Sequence, residues 1–314
     1  MARAFPKPSS RDRKPPFHAH CEFGGSDGRG QSARFIAGLV IAVVAIGPLR
    51  TALAGWPESH EQEGFRLLFA GRTQEALTEF TKAIEVGDGE ARLYYSRGFA
   101  WHRIGQFDQA ISDFSEAISR DTRRGTYYLA RALAWSAKRE WAKAVQDATE
   151  CIMLTSRLSD PYTVRGYAEI HLGQYAKAQE DYGTAMRISP ENPNNSRMLA
   201  YLLAASPLPR LRDGAKSVHY ATRACELNGW RDAWDLTILA AAYAENGDFD
   251  NAVLWQQKAI HLTPAEGRRS MQNLVQLYLD GKPYRLPSAA PEEAPAELQN
   301  APPGLGKQKG RGGN

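Results

Sequence analysis

The sequence is poor in cysteine, has a single long apolar run and shows no convincing β pattern. Three cysteines in 314 residues, none in a CxxC pair and none beside histidines at ligand spacing, exclude a disulfide scaffold, a zinc module and a c-type haem site. The sequence has no glycine-rich phosphate loop, no GxSxG elbow and no GxGxxG after a strand. His60-Glu61 opens like a zinc-protease HExxH, but Gly64 stands where the second histidine belongs. These absences predict a protein that is not an enzyme and needs no cofactor, metal or small-molecule substrate. A large charge of one sign is missing too. The net charge is +4, but residues 1–54 carry +5 and the remainder sums to −1, so no nucleic-acid footprint is left. With 43% hydrophobic residues and 24% charged, the chain can bury a sizeable core.

The apolar run, Phe35 to Leu49, follows a basic stretch and precedes Ala52-Leu53-Ala54, a small-x-small pattern of the kind signal peptidase accepts. Fifteen residues span roughly 22 Å as a helix, short of the roughly 30 Å hydrocarbon core. Residues 1–54 are therefore expected to be a secretory signal peptide with a long basic leader, cleaved after Ala54. The competing reading keeps them as an uncleaved N-terminal anchor, the only case in which a membrane is involved. Cys21 lies before the apolar run, which does not support lipid attachment.

The body is periodic at 34 residues: Gly71-x-Thr73-x-x-Ala76, Gly105-x-Phe107-x-x-Ala110, Arg139-x-Trp141-x-x-Ala144 and Gly173-x-Tyr175-x-x-Ala178. Seven residues after each alanine stands Ala83, Ala117, Cys151 or Ala185, and twelve before it Gly64, Gly98, Ala132 or Gly166. Sixteen before it stands His60, Tyr94, Tyr128 or Tyr162. The spacing predicts helical hairpins whose small residues allow close approach and whose glycines end the first helix with positive φ. One hairpin cannot bury its apolar face alone, so stacking is obligatory.

These residues resemble the tetratricopeptide repeat, including its variant with Arg97-Gly98 and Asp113-Phe114, or Arg165-Gly166 and Asp181-Tyr182. The closing proline is present at Pro190 and Pro264 and replaced by Asp88, Thr122 and Ser156 elsewhere. Ser217 to Cys225 and Ala252 to Ile260 read as second helices of two further repeats, with first helices at Arg197 to Ala205 and Trp234 to Glu245. Two prolines within Ser206 to Asp213 forbid continuous helix and mark an insertion in repeat five. Glu266 to Asp280 is amphipathic and suits a cap. The resemblance implies an all-α, right-handed superhelical solenoid of about six hairpins plus that capping helix over residues 57–281. Residues 282–314, rich in Pro, Ala and Gly, are expected to be a disordered tail. The block from LLAASP to GKPYR is similar to a module of bacterial tetratricopeptide proteins, which with the leader implies an exported, periplasmic or secreted protein.

Three expectations concern particular side chains. Arg97, Arg131 and Arg165 recur every 34 residues, as do Glu79, Asp113, Asp147 and Asp181, so the columns are placed to pair as a ladder of bridges. The alternative is a basic stripe for an anionic ligand. Cys151 and Cys225, two repeats apart, are expected to be unbridged core thiols. The resemblance further implies that first helices line a concave groove, placing Tyr95, Phe99, Leu129, Leu133, Thr163 and Tyr167 along an apolar strip that holds a protein or peptide partner. Where family members that clamp a C-terminal carboxylate carry Lys, Asn and Arg, this chain has Glu61, Phe65, Ser96, Thr126 and Ala130. The competing reading buries part of that strip under neighbouring helices or the chain's own tail.

Overall fold

The computed structural model describes residues 57–287 except 88, 265 and 266. The expected leader, and the expected tail from residue 288 onward, lie outside the described residues. Six helical hairpins follow one another: α1 Pro57–Phe69 with α2 Thr73–Val86, α3 Ala91–Arg103 with α4 Phe107–Arg120, and α5 Gly125–Ala137 with α6 Trp141–Leu154. Then come α7 Asp160–His171 with α8 Tyr175–Ile188, α9 Pro193–Ala205 with α10 Gly214–Leu227, and α11 Ala233–Glu245 with α12 Phe249–Leu262. A thirteenth helix, α13 Arg268–Leu279, packs on α12. Each second helix packs on its own first helix and on the first helix of the next hairpin, which makes one continuous all-α solenoid. Among the described residues there is no strand, and no helix is long and apolar enough to cross a membrane.

The 34-residue pattern works through three local devices. Gly71, Gly105, Gly173 and Gly247 adopt φ between 74° and 80°, the left-handed conformation that closes a helix and reverses the chain. Arg139 takes the same place in the third hairpin at φ 62°, at a steric cost glycine does not incur. In each turn a backbone amide reaches back to the last helical carbonyls, as from Gln106 to Trp101 at 3.0 Å and from Glu140 to Trp135 at 2.9 Å.

The second device is size complementarity. A Cβ built on Gly64, Gly98 or Gly166 would stand 2.6, 2.8 or 2.8 Å from the ring of Phe80, Phe114 or Tyr182 on the facing helix. The third hairpin has Ala132 and Ala148 at the corresponding positions, both fully buried. A larger residue on one helix is thus matched by a smaller one on the other, and the interaxial distance is kept.

The third device is the ladder. Arg97, Arg131 and Arg165 each donate two hydrogen bonds, from Nε and Nη2, to both carboxylate oxygens of Asp113, Asp147 and Asp181 at 2.7–2.9 Å. Their Nη1 atoms donate to Thr81, Ser115 and Thr149 of the preceding hairpin at 3.0–3.3 Å. Each guanidinium also lies 5.7–5.9 Å from the centre of the Tyr94, Tyr128 or Tyr162 ring. The arginines therefore join hairpin to hairpin and are not a free basic stripe. Glu79 is the exception in its column, bonded to His60 at 2.6 Å and Lys82 at 2.8 Å.

The inserted segment of repeat five contains a short 3-10 turn, Pro209–Leu211, and ends in Asp213, whose carboxylate caps α10 by accepting from the Lys216 amide at 2.9 Å. The tail boundary at residue 282 needs correction. Residues 282–287 pack back onto the solenoid, and Leu286 is buried there. Pro and Gly content argued for disorder, but side chains distant in sequence provide this short stretch with partners.

Candidate partner-binding surface

Three-residue turns, in every hairpin but the fifth, place the C-terminal end of the first helix beside the N-terminal end of its second helix, along one edge of the solenoid. Half-exposed aromatic residues gather on and near this edge. Trp135 has the Lys143 ammonium 4.4 Å from its ring centre. Trp141, the first residue of α6, stacks flat on His171 at the end of α7, with ring centres 4.0 Å apart and planes 5° from parallel, and Tyr167 meets both rings edge-on at 5.9 and 4.8 Å. Burial against these rings and the nearby Arg139 push the His171 imidazole down to about 4, so it stays neutral and packs as an aromatic ring near pH 7.

Of the six residues expected to line the groove, four do not face solvent. Phe99, Leu129 and Leu133 are 4%, 1% and 4% exposed and share one core cluster with Val164 and Ala132. Thr163 is fully buried and donates to Asn195 at 3.0 Å and to the Ser159 carbonyl at 3.3 Å. Tyr95 is half-buried between Phe114 at 5.8 Å and Tyr127 at 5.1 Å, and burial pushes its hydroxyl up to about 12. Tyr167 alone of the six belongs to the half-exposed edge. The expected strip is corrected to a seam: these positions flank the small residue of each first helix, where successive hairpins meet.

Sequence reasoning missed three groups. The Thr81, Ser115 and Thr149 column was legible at the 34-residue period, but short hydroxyl residues on a helix commonly bond their own i−4 carbonyl, and these do so at 2.7–2.8 Å. Glu169 occupies the position of Trp101 and Trp135 in earlier repeats. It is 4% exposed with one carboxylate oxygen unpartnered, and burial, reinforced by Asp181, pushes it up to about 7. The third group is the contact of Tyr175 with the Pro287 carbonyl, which joins residues 112 positions apart.

The remaining candidates for chemistry are quiet. Cys151 and Cys225 are free and fully buried, and burial raises both thiols above their ordinary range, away from thiolate reactivity. Glu61 of the truncated HExxH match pairs with Arg92 and accepts from Ser96 at 2.9 Å. Among the described residues no group of three His, Cys, Asp or Glu side chains could hold a metal ion.

Comparison with known proteins agrees with the geometry. The tetratricopeptide repeat model matches residues 91–123, 159–192 and 236–266, which fall on the helix pairs α3–α4, α7–α8 and α11–α12. The chain carries tetratricopeptide repeats. No curated protein matches its sequence. Among solved structures, this chain is similar to one described as a functional characterization of Pseudomonas aeruginosa PilF, with TM-score 0.59 and 18% identity over 69% of this chain and 96% of that one. It is also similar to the Cut9–Hcn1 hetero-tetramer of APC/C, with TM-score 0.61 and 16% identity over 79% of this chain and 46% of that one. At these identities the likeness is one of fold, an all-α solenoid.

Proposed function

We propose that this chain is a non-catalytic scaffold of the bacterial cell envelope that holds a segment of a protein partner on the aromatic edge of its solenoid. The observation that carries the reading is the contrast between a rigidly bridged body and a half-exposed aromatic row, Trp135, Trp141 and Tyr167, on one edge. A few aromatic anchors of this kind supply most of the energy of a protein interface. The leader pattern ending in Ala54 supports the exported location. If the same segment stays in the membrane, the solenoid becomes an anchored assembly subunit, and the N-terminal residue of the mature protein separates the two readings.

The test is affinity capture from the native host's envelope with the full chain and with Trp135→Ala plus Trp141→Ala. The reading requires loss of a prey protein with helix content unchanged. Equal capture by both forms moves the site off this edge. Phe99→Ala is unsuitable as a probe here, because it opens the core and not the surface.

A further inference from the structure

After α13 the chain reverses at Gly281, φ 69°, and runs extended across helices far away in sequence. Tyr284 packs into the cluster that contains Tyr201 of α9 and Tyr243 of α11. Arg285 pairs through Nη2 with Glu245 at the end of α11, 2.5 Å away, and donates from Nη1 to the Ala204 carbonyl at 3.2 Å. Leu286 is buried, and its amide donates to the Ala205 carbonyl at 2.8 Å. The Pro287 carbonyl accepts from the Tyr175 hydroxyl, at the start of α8, at 2.6 Å. Four successive residues thus engage α11, α9 and α8 in turn, crossing the hairpins in reverse order.

The receiving surface has its own identity. Ala204 and Ala205 are the last residues of α9, whose terminal carbonyls have no partner within the helix and need donors from outside it. Glu245 is also held by Arg212 at 2.9 Å, a second contact on its carboxylate that does not depend on Arg285. The strap itself is only partly enclosed: Leu286 is its buried anchor, Tyr284 and Arg285 are half-buried, and Pro287 is exposed. Backbone amide to carbonyl, guanidinium to carboxylate and one buried aliphatic side chain are the contacts by which extended peptides are recognised.

We propose that Tyr284-Arg285-Leu286-Pro287 is a resident ligand in a peptide site on α8, α9 and α11, and that this site takes an extended partner segment of the same chemistry, aromatic then arginine then aliphatic, in exchange for the strap. The proposal rests on the scaffold reading above and names what part of the partner is recognised. Because the strap is tethered, its effective concentration is on the order of millimolar, and a free competitor must overcome that before it binds. The device sets a threshold: weak, single-contact peptides are refused, and a partner that also engages the adjacent Tyr167, His171 and Trp141 is accepted.

The test uses a fluorescein-labelled, end-blocked peptide of residues 282–287 titrated into the full chain and into the full chain carrying Arg285→Ala and Leu286→Ala, read by fluorescence anisotropy. The expected result is saturable binding to the variant and at least roughly ten-fold weaker binding to the unaltered chain. Adding Glu245→Gln to the variant, or alanine for arginine in the peptide, weakens binding severalfold. No saturable binding to a folded variant, or equal binding to both chains, overturns the proposal. Hydrogen exchange on the unaltered chain decides independently of any variant. A Leu286 amide that exchanges while α9 stays protected marks a displaceable strap; exchange only in step with α9 marks an integral part of the fold and overturns the proposal. A chain that binds the strap peptide yet captures no envelope protein would refute the scaffold reading and leave the strap site standing.

Discussion

Hairpins two to four and hairpins five to six solve one stacking problem differently. From α3 to α8 the same parts recur at fixed spacing: a left-handed turn, a small residue against a second-helix side chain, and an arginine gripping an aspartate and a hydroxyl of the hairpin before. From α9 onward the ladder changes form. Arg197 reaches forward to Asp235 at 2.5 Å and Asp232 at 3.3 Å on the next hairpin, α9 is buried from Asn195 to Ala205, and the insertion and the strap close over its end. Where contacts are between neighbours in a repeat, a short period encodes them; where they reach across an insertion, individual residues must.

The largest expected effect breaks the regular half at its size match. Phe114→Ala should cost about 3–5 kcal/mol in chemical denaturation, and adding Gly98→Ala should restore part of it, because the pair then copies Ala132 and Ala148. A double variant no more stable than Phe114→Ala would show that the column is not a matched pair. Next in size is the ladder. Arg131→Met strands the Asp147 carboxylate, 6% exposed, and should cost on the order of 3 kcal/mol, with Asp147→Leu in the same chain recovering much of it. Full stability of Arg131→Met would reduce the ladder to decoration.

The boundary between the halves should respond to pH. Glu169 faces Arg165 on its own helix and Asp181, Lys177 and Glu180 on α8, and its folded pKa is raised to about 7. A carboxyl raised on folding binds its proton more tightly in the native state, so its stabilising contribution is present below about pH 4.5 and is lost as pH rises through about 7. Glu169→Gln should therefore raise the midpoint at pH 8 by roughly 1–2 kcal/mol equivalent and change little at pH 4.5, as read from melting curves at both values. Equal effects at the two pH values would remove Glu169 as the source. The smallest effect sharpens the regularity itself: Arg139→Gly, which restores the glycine found at the other three-residue turns, should stabilise by about 0.5–1 kcal/mol. A loss instead would mean that Arg139 makes contacts worth more than its backbone cost.

Some features were legible from residues alone because they are local or strictly periodic. Gly71, Gly105 and Gly173 ended helices as a 34-residue period requires, and Arg131 met Asp147 because helical spacing fixes which faces of one hairpin touch. The amphipathic cap and the break at Ser206 to Asp213 were equally readable, from periodicity and from two prolines. Phe99, Leu129, Leu133 and Thr163 were misread because an apolar residue on a first helix can face either the groove or the next hairpin. That choice is set by the rotation between repeats, which no single hairpin's sequence states.

The sequence by itself determined the repeating unit, its number and the pairing within it, since helix period and side-chain size act over a few residues. Only the tertiary structure decided which side of each first helix is sealed, that Glu169 is enclosed, and that Tyr284 to Pro287 find partners on α11, α9 and α8. Those outcomes depend on the angle at which hairpins stack and on contacts spanning as many as 112 residues, where no local periodicity carries information.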